Sequence, residues 1–180
     1  MPPPKIPPVV SDINLLTPQM KERVVALLSD VVTDRLPLRV FETLRRVERQ
    51  EWLFAKGYSK AKGANGPHPW GLAVDIILNP KSPEWKEIGD RPTAIGGGVE
   101  WDTGYNQTAD GLVLVRPGVA HVVRSLGELA KKHGLEWGGV NAGGWANGAK
   151  GAEFGWDPFH LQLANWRAWT KHLPAPSRQA

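Results

Sequence analysis

The chain has 180 residues, 41% of them hydrophobic and 22% charged, and a formal net charge of +4, which fits a single domain large enough to bury a core. It holds no cysteine, so disulfides and thiolate metal sites are excluded and any metal must use His, Asp or Glu. No apolar run approaches the ~20 residues of a membrane span, and the scattered Lys and Arg carry no nucleic-acid signature.

The N-terminal stretch MPPPKIPPVV lacks the apolar core of a secretory signal, so the chain is expected to be made in the cytoplasm, without a signal peptide. Residues 1–13 read as a proline-rich tail or clamp, 14–173 as the folded domain and 174–180 as a C-terminal tail. Thr17 and Pro18 have the residue types of an N-cap and a first helical position. Val24, Val25, Leu27, Leu28, Val31 and Val32 follow at helical spacing, which predicts a helix over about 17–34. PLRVFETL (37–44) reads as a strand, RRVERQEWLFAKG (45–57) as a short helix, and residues 58–67 as a loop. LAVDIIL (72–78) is the next strand, and 79–112 holds only short ordered pieces. Pro117 opens a helix that runs through Val122, Val123, Leu126 and Leu129 to Gly134. LEWGG is a short strand, and residues 140–155 form a Gly-rich loop expected at the rim of a cleft. WDPFHLQL enters a last strand, and NWRAWTKHL closes with a helix. Without regular βαβ alternation, this order predicts an α+β fold: a small antiparallel sheet with flanking helices in a single domain.

Asp75 sits inside the apolar run 72–78, where an unpaired ionised carboxylate is costly. An Arg partner, a water-facing strand edge or loop backbone would each satisfy it. A second stretch, WDPFH, suggests a further answer, because it sets Asp157 three residues before His160 after a Gly-rich loop. His68, Asp75 and His160 together make a three-ligand set for one catalytic zinc, with the fourth position left to water. Asp157 is then free to act as general base on that water.

These residues resemble a family. HPWGLAVD is similar to the His-x-x-Gly-x-Ala-x-Asp motif of the M15 zinc peptidases, the D-alanyl-D-alanine carboxypeptidases and L-alanyl-D-glutamate endopeptidases. WDPFH resembles their second motif, VFETLRRVERQEWLFAKG their N-terminal strand and helix, and GLEWGG the piece before the second motif. The resemblance implies one zinc per chain on His68, Asp75 and His160, with Asp157 taking the proton of the attacking water. It also implies that Arg45 stabilises the oxyanion and that Gln50 supports it. From the sequence Arg46 competes with Arg45, and the position of the Gln favours Arg45. Many family members have Ser or Thr where this chain has Gly66.

The substrate so implied is a peptidoglycan stem peptide containing a D-residue. An L-Ala-D-Glu type endopeptidase, working as a monomeric endolysin once the membrane is opened, is the first reading. A D,D-carboxypeptidase and a non-catalytic wall-binding module are the rivals. Nine tryptophans stand beside four phenylalanines and two tyrosines, and most of the nine are expected in the core. His121, His133 and His172 are not expected to be ligands. His133 closes a helix, where a cation is favoured.

Overall fold

A computed structural model of the chain describes residues 6–94 and 98–176. In chain order its strands are β1 (Leu38–Glu42), β2 (Ala73–Leu78), β3 (Tyr105–Thr108), β4 (Gly111–Leu114), β5 (Leu135–Trp137) and β6 (His160–Leu163). Four of them form one antiparallel sheet in the order β1-β2-β6-β5, and β3 and β4 form a separate hairpin. The main helices are α1 (Pro18–Thr33), α2 (Val47–Ala55), α3 (Trp85–Ile88), α4 (Pro117–Lys132) and α5 (Trp166–Thr170). This is the α+β architecture that the order of elements predicts.

β2 lies between β1 and β6, and all six of its residues are buried. Successive strand residues face opposite sides of a sheet. Val74, Ile76 and Leu78, with Leu161 and Leu163 of β6 and Leu135 of β5, give one apolar face and join the main core. That core is completed by the buried stripe of α1 (Met20, Val24, Leu27, Val31) and by α4, including Val119, Val122, Val123 and Leu126. The opposite face carries a polar row between the buried Ala73 and Ile77. Register places Asp75 between Glu42 and His160, and Gln162 beside Glu136. One residue of slip would send this polar row into the core.

Close packing fixes where α4 meets β5. A Cβ at Gly127 would stand 2.3 Å from the indole of Trp137, so only glycine admits that ring against the helix. At the start of α1 the capping expectation needs correction. Thr17 occupies the N-cap position but makes no side-chain cap bond. Its backbone N–H donates to the Gly71 carbonyl at 3.0 Å, which ties the helix start to the turn before β2. The proline-rich segment also packs on the domain: Thr43 N–H donates to the Val10 carbonyl at 2.7 Å, and Arg49 Nη1 donates to that of Pro7 at 3.0 Å.

Candidate active site

His68 opens a single 3-10 turn, His68–Trp70, that leads into β2. Asp75 and His160 are register partners on β2 and β6. Sequence places the three 92 positions apart at most, and the fold brings them to one point. His68 Nε2 lies 3.0 Å from Asp75 Oδ1 and 3.2 Å from His160 Nδ1, and His160 Nδ1 lies 3.1 Å from Asp75 Oδ1. All three residues are buried. Among the described residues this is the one group of His, Asp or Glu side chains whose ligand atoms converge in this way.

The donor set suits zinc. A tetrahedral ion with bonds of ~2.0–2.1 Å spaces its ligand atoms ~3.3 Å apart, close to the observed triangle. Each ring is also turned for the purpose. His68 Nδ1 donates to the Thr43 carbonyl at 2.8 Å, and His160 Nε2 donates to Gln162 Oε1 at 3.0 Å. The opposite nitrogen of each ring is thereby aimed at the centre.

The electrostatics follow from the shared burial. Burial alone would raise the Asp75 carboxyl, but His68, His160 and Arg45 hold it well below the usual carboxylate range. Burial and the nearby Arg45 charge push His68 down, against Asp75. Burial also opposes the charged form of His160, but the bond and charge of Asp75, with help from Asp157 and Gln162, raise it. The Arg partner foreseen for Asp75 is present as well: Arg45 Nη2 donates to Asp75 Oδ2 at 2.8 Å, leaving Oδ1 for the imidazoles.

Arg45 is tied on every side. Its Nε donates to Glu42 Oε2 at 2.8 Å and its Nη1 to Gln50 Oε1 at 3.0 Å. Gln50 Nε2 in turn donates to Ser59 Oγ and to the Ala61 carbonyl, both at 2.7 Å. Gly66 lies alongside, since a Cβ there would come 3.7 Å from Gln50 Oε1. A hydroxyl therefore reaches Gln50 from Ser59 in this chain. Arg46 is exposed at the N-cap of α2, so the fold separates the two arginines that the sequence left in competition.

Asp157 stands in the turn before β6, half-buried. Its ligand atoms do not join the triad. Burial first, and the negative charge of Asp75, push its carboxyl up to about 6, against the pull of His160, Arg45 and Lys60. A cleft of about 220 Å³ opens beside it, with Trp101, Tyr105, Phe154, Trp156 and Phe159 among its walls.

The sequence did not reveal what surrounds His160. Gln162 Nε2 donates to Glu136 Oε2 at 2.8 Å, and Trp145 Nε1 donates to Glu136 Oε1 at 2.9 Å. The Trp145 ring packs beside His160, 5.4 Å between centroids, and stacks on Trp156 at 5.3 Å. Lys60 Nζ lies 4.2 Å from the centre of the Trp156 ring. Gly138 makes room, since a Cβ there would meet the Asp157 carbonyl at 2.4 Å and the Trp145 ring at 2.9 Å. Trp145 and Trp156 thus pack beside the His160 side of the site, while Trp85 and Trp166 are core residues. His133 bonds Asp30 at 2.6 Å as the C-cap residue of α4, away from the triad, and His121 and His172 are exposed.

Residues 59–145 match an M15 peptidase family model described as D-alanyl-D-alanine carboxypeptidase. The matched segment holds His68 and Asp75 and ends before Asp157 and His160. No curated protein sequence matches the chain. Among solved structures, the chain is similar to the L-Ala D-Glu endopeptidase ChiX of Serratia marcescens, with 19% identity over 87% of this chain and 86% of that one and a TM-score of 0.45. It is also similar to the vancomycin-resistance D,D-pentapeptidase VanY in complex with Zn(II), with 16% identity over 87% and 76% and a TM-score of 0.48. The LD-carboxypeptidase LdcB gives 15% identity over 96% and 74%, with a TM-score of 0.45. The matched segment, just under half of the chain, is similar to the M15 peptidases and supplies two members of the candidate metal triad, which the fold closes with the third.

Proposed function

We propose that this chain is a zinc peptidase of peptidoglycan that hydrolyses a stem-peptide bond as an L-Ala-D-Glu type endopeptidase, in the setting of an endolysin. The observation that carries this reading is the convergence of His68, Asp75 and His160, with Asp157 and Arg45 beside them.

Zinc, when bound, acidifies water and polarises the scissile carbonyl. Asp157 is the group suited to take the proton of the attacking water and return it to the leaving amine. A carboxyl pushed up to about 6 lies near the working pH, where a general base is most effective. Arg45 serves the oxyanion. Its hydrogen bonds to Glu42, Asp75 and Gln50 occupy Nε, one Nη2 hydrogen and one Nη1 hydrogen, and Nη2 also lies 2.7 Å from Glu42 Oε2 as an ion pair. The second Nη1 hydrogen is left for charge that develops in the transition state. Glu42 and Gln50 hold the guanidinium in place for this.

The description of the matched family model favours a second reading, a D,D-carboxypeptidase. That activity needs a cation for the free carboxylate, and Lys60 is exposed at the rim over Trp156. A wall-binding module without catalysis has no need for a base beside a metal triad. Digesting purified peptidoglycan and identifying the new termini by mass spectrometry tests all three. A new N-terminal residue within the stem is expected. Release of free D-Ala instead establishes the carboxypeptidase, and absence of any product from the zinc-loaded protein refutes both.

A further inference from the structure

We propose that Glu136, acting through Gln162, and Trp145 are positioning residues that fix the metal-facing nitrogen of His160 and tie the Gly-rich loop to the metal centre. The proposal rests on the reading of His68, Asp75 and His160 as metal ligands.

An ionised carboxylate accepts hydrogen bonds and donates none. Glu136 uses Oε2 toward Gln162 and Oε1 toward Trp145. The side-chain amide of Gln162 must therefore turn its NH2 group to Glu136, and its carbonyl is left facing His160 Nε2 at 3.0 Å. The reversed amide would set a carbonyl oxygen against a carboxylate at 2.8 Å. A carbonyl also only accepts, so His160 Nε2 carries the hydrogen and Nδ1 offers its lone pair to the site. The charge of Glu136 thus decides, one residue removed, which nitrogen of His160 can bind a metal. Such outer partners of a ligating His typically contribute 10–100-fold to affinity.

Trp145 closes the circuit. Its N–H holds the second oxygen of Glu136, and its ring lies beside the imidazole whose orientation Glu136 controls. Trp145 belongs to the 140–155 segment, which also lays Trp145 on Trp156. The position of this loop and the orientation of the ligand are one packed unit.

The test is zinc affinity of the full chain, read by competition with a chromophoric chelator, which is independent of turnover. Glu136→Leu and Gln162→Leu are each expected to bind zinc roughly 10–100-fold more weakly. Because Glu136 acts through Gln162, the double variant should bind no more weakly than Gln162→Leu alone. Trp145→Phe keeps an aromatic ring but deletes the donor, together with part of the ring area. It should bind more weakly than wild type, and its effect should also disappear in the Gln162→Leu background. Should Glu136→Leu fail to fold, Glu136→Gln keeps the volume but removes the obligate acceptor, and the same comparisons are made with it. Wild-type affinity in the Glu136 variants overturns the proposal and leaves the metal site standing, as do independent, multiplying losses for Glu136 and Gln162. A wild type that binds no zinc overturns the metal site itself.

Discussion

Asp75 divides its two oxygens between two kinds of partner, a guanidinium on one side and the imidazole pair on the other. On the proposed mechanism Arg45 would serve both structure and chemistry, and the consequence can be measured. Arg45→Ala would leave the buried carboxylates of Glu42 and Asp75 short of a partner, a loss on the order of 3–5 kcal/mol for a broken buried pair. Such a variant mixes instability with lost catalysis. Arg45→Lys is the better probe, since it keeps a charge but not the planar fork. It should lose up to the ~10²–10³-fold in kcat of a missing oxyanion donor, with a smaller change in KM. Arg46→Ala, at an exposed helix start, should stay near wild type. Steady-state kinetics on a soluble stem peptide, with zinc content measured in each variant, decides between them. A crippled Arg46→Ala beside a healthy Arg45→Lys would reverse the assignment. In the same assay Asp157→Ala should keep its zinc and lose at least the ~10²-fold typical of a general base. Loss of the metal would make it a ligand instead.

At the scale of elements, packing overrides local preference in ways that can be tested. Gly127 lies within α4, where Ala would be favoured by ~1 kcal/mol. A Cβ there stands 2.3 Å from the Trp137 indole, and overpacking of this kind costs about 1–3 kcal/mol. Gly127→Ala should therefore be net destabilising in urea melts, and a stabilised variant would mean that the ring yields. The contact between α1 and α4 has its own pH signature. Bonds from Lys132 and then His133 lower the Asp30 carboxyl below 3.8. A depressed acid contributes stability above its unfolded value, and that stability is lost as pH falls through the lower folded value. Asp30→Asn should thus be less stable than wild type at pH 7, and the gap should close on acidification below 3.8. A gap that is the same at pH 7 and pH 2.5 would refute the linkage. The same scale explains what was legible. The stripe of α1, the unbroken apolar run of β2 and the ligand motifs are written within single stretches, so periodicity and spacing expose them. The Glu136–Gln162 pair is set by the register of β5 on β6, and Trp145 reaches Glu136 only after the loop folds back, so neither has a local signal. Thr17 stands at the N-cap of α1, but its buried hydroxyl makes no bond there. The β3–β4 hairpin turns through Ala109 and Asp110, with Gly111 opening β4.

Across the whole molecule, the candidate metal centre joins segments that are distant in the chain. His68 precedes β2, Asp75 lies in it, and His160 begins β6. Thr43 extends the clasp outward. Its carbonyl holds His68 Nδ1 at 2.8 Å, while its N–H and hydroxyl bind the Val10 carbonyl and the hydroxyl also reaches that of Asp12. Metal binding is therefore expected to stabilise the whole domain rather than one loop. A ligand that binds only the folded state adds about 4 kcal/mol at 1,000 times its Kd. For a domain of this size each kcal/mol moves Tm by roughly 2–4 °C, so stripping zinc should lower Tm by roughly 10 °C. Three proteins separate the causes. Wild type and Asp157→Ala should both show the drop on chelation, because Asp157 stands outside the ligand triad. His160→Ala should melt low with or without zinc, because its triangle of ligands is open. Thr43→Val keeps the backbone bonds and removes only the hydroxyl, so it should melt somewhat lower yet retain the zinc-dependent increment. Calorimetry with and without chelator, paired with metal analysis, makes the comparison. If wild type gives up its zinc with no change in Tm, the clasp contributes nothing to folding. If Asp157→Ala loses the increment while His160→Ala keeps it, the ligand set is wrong.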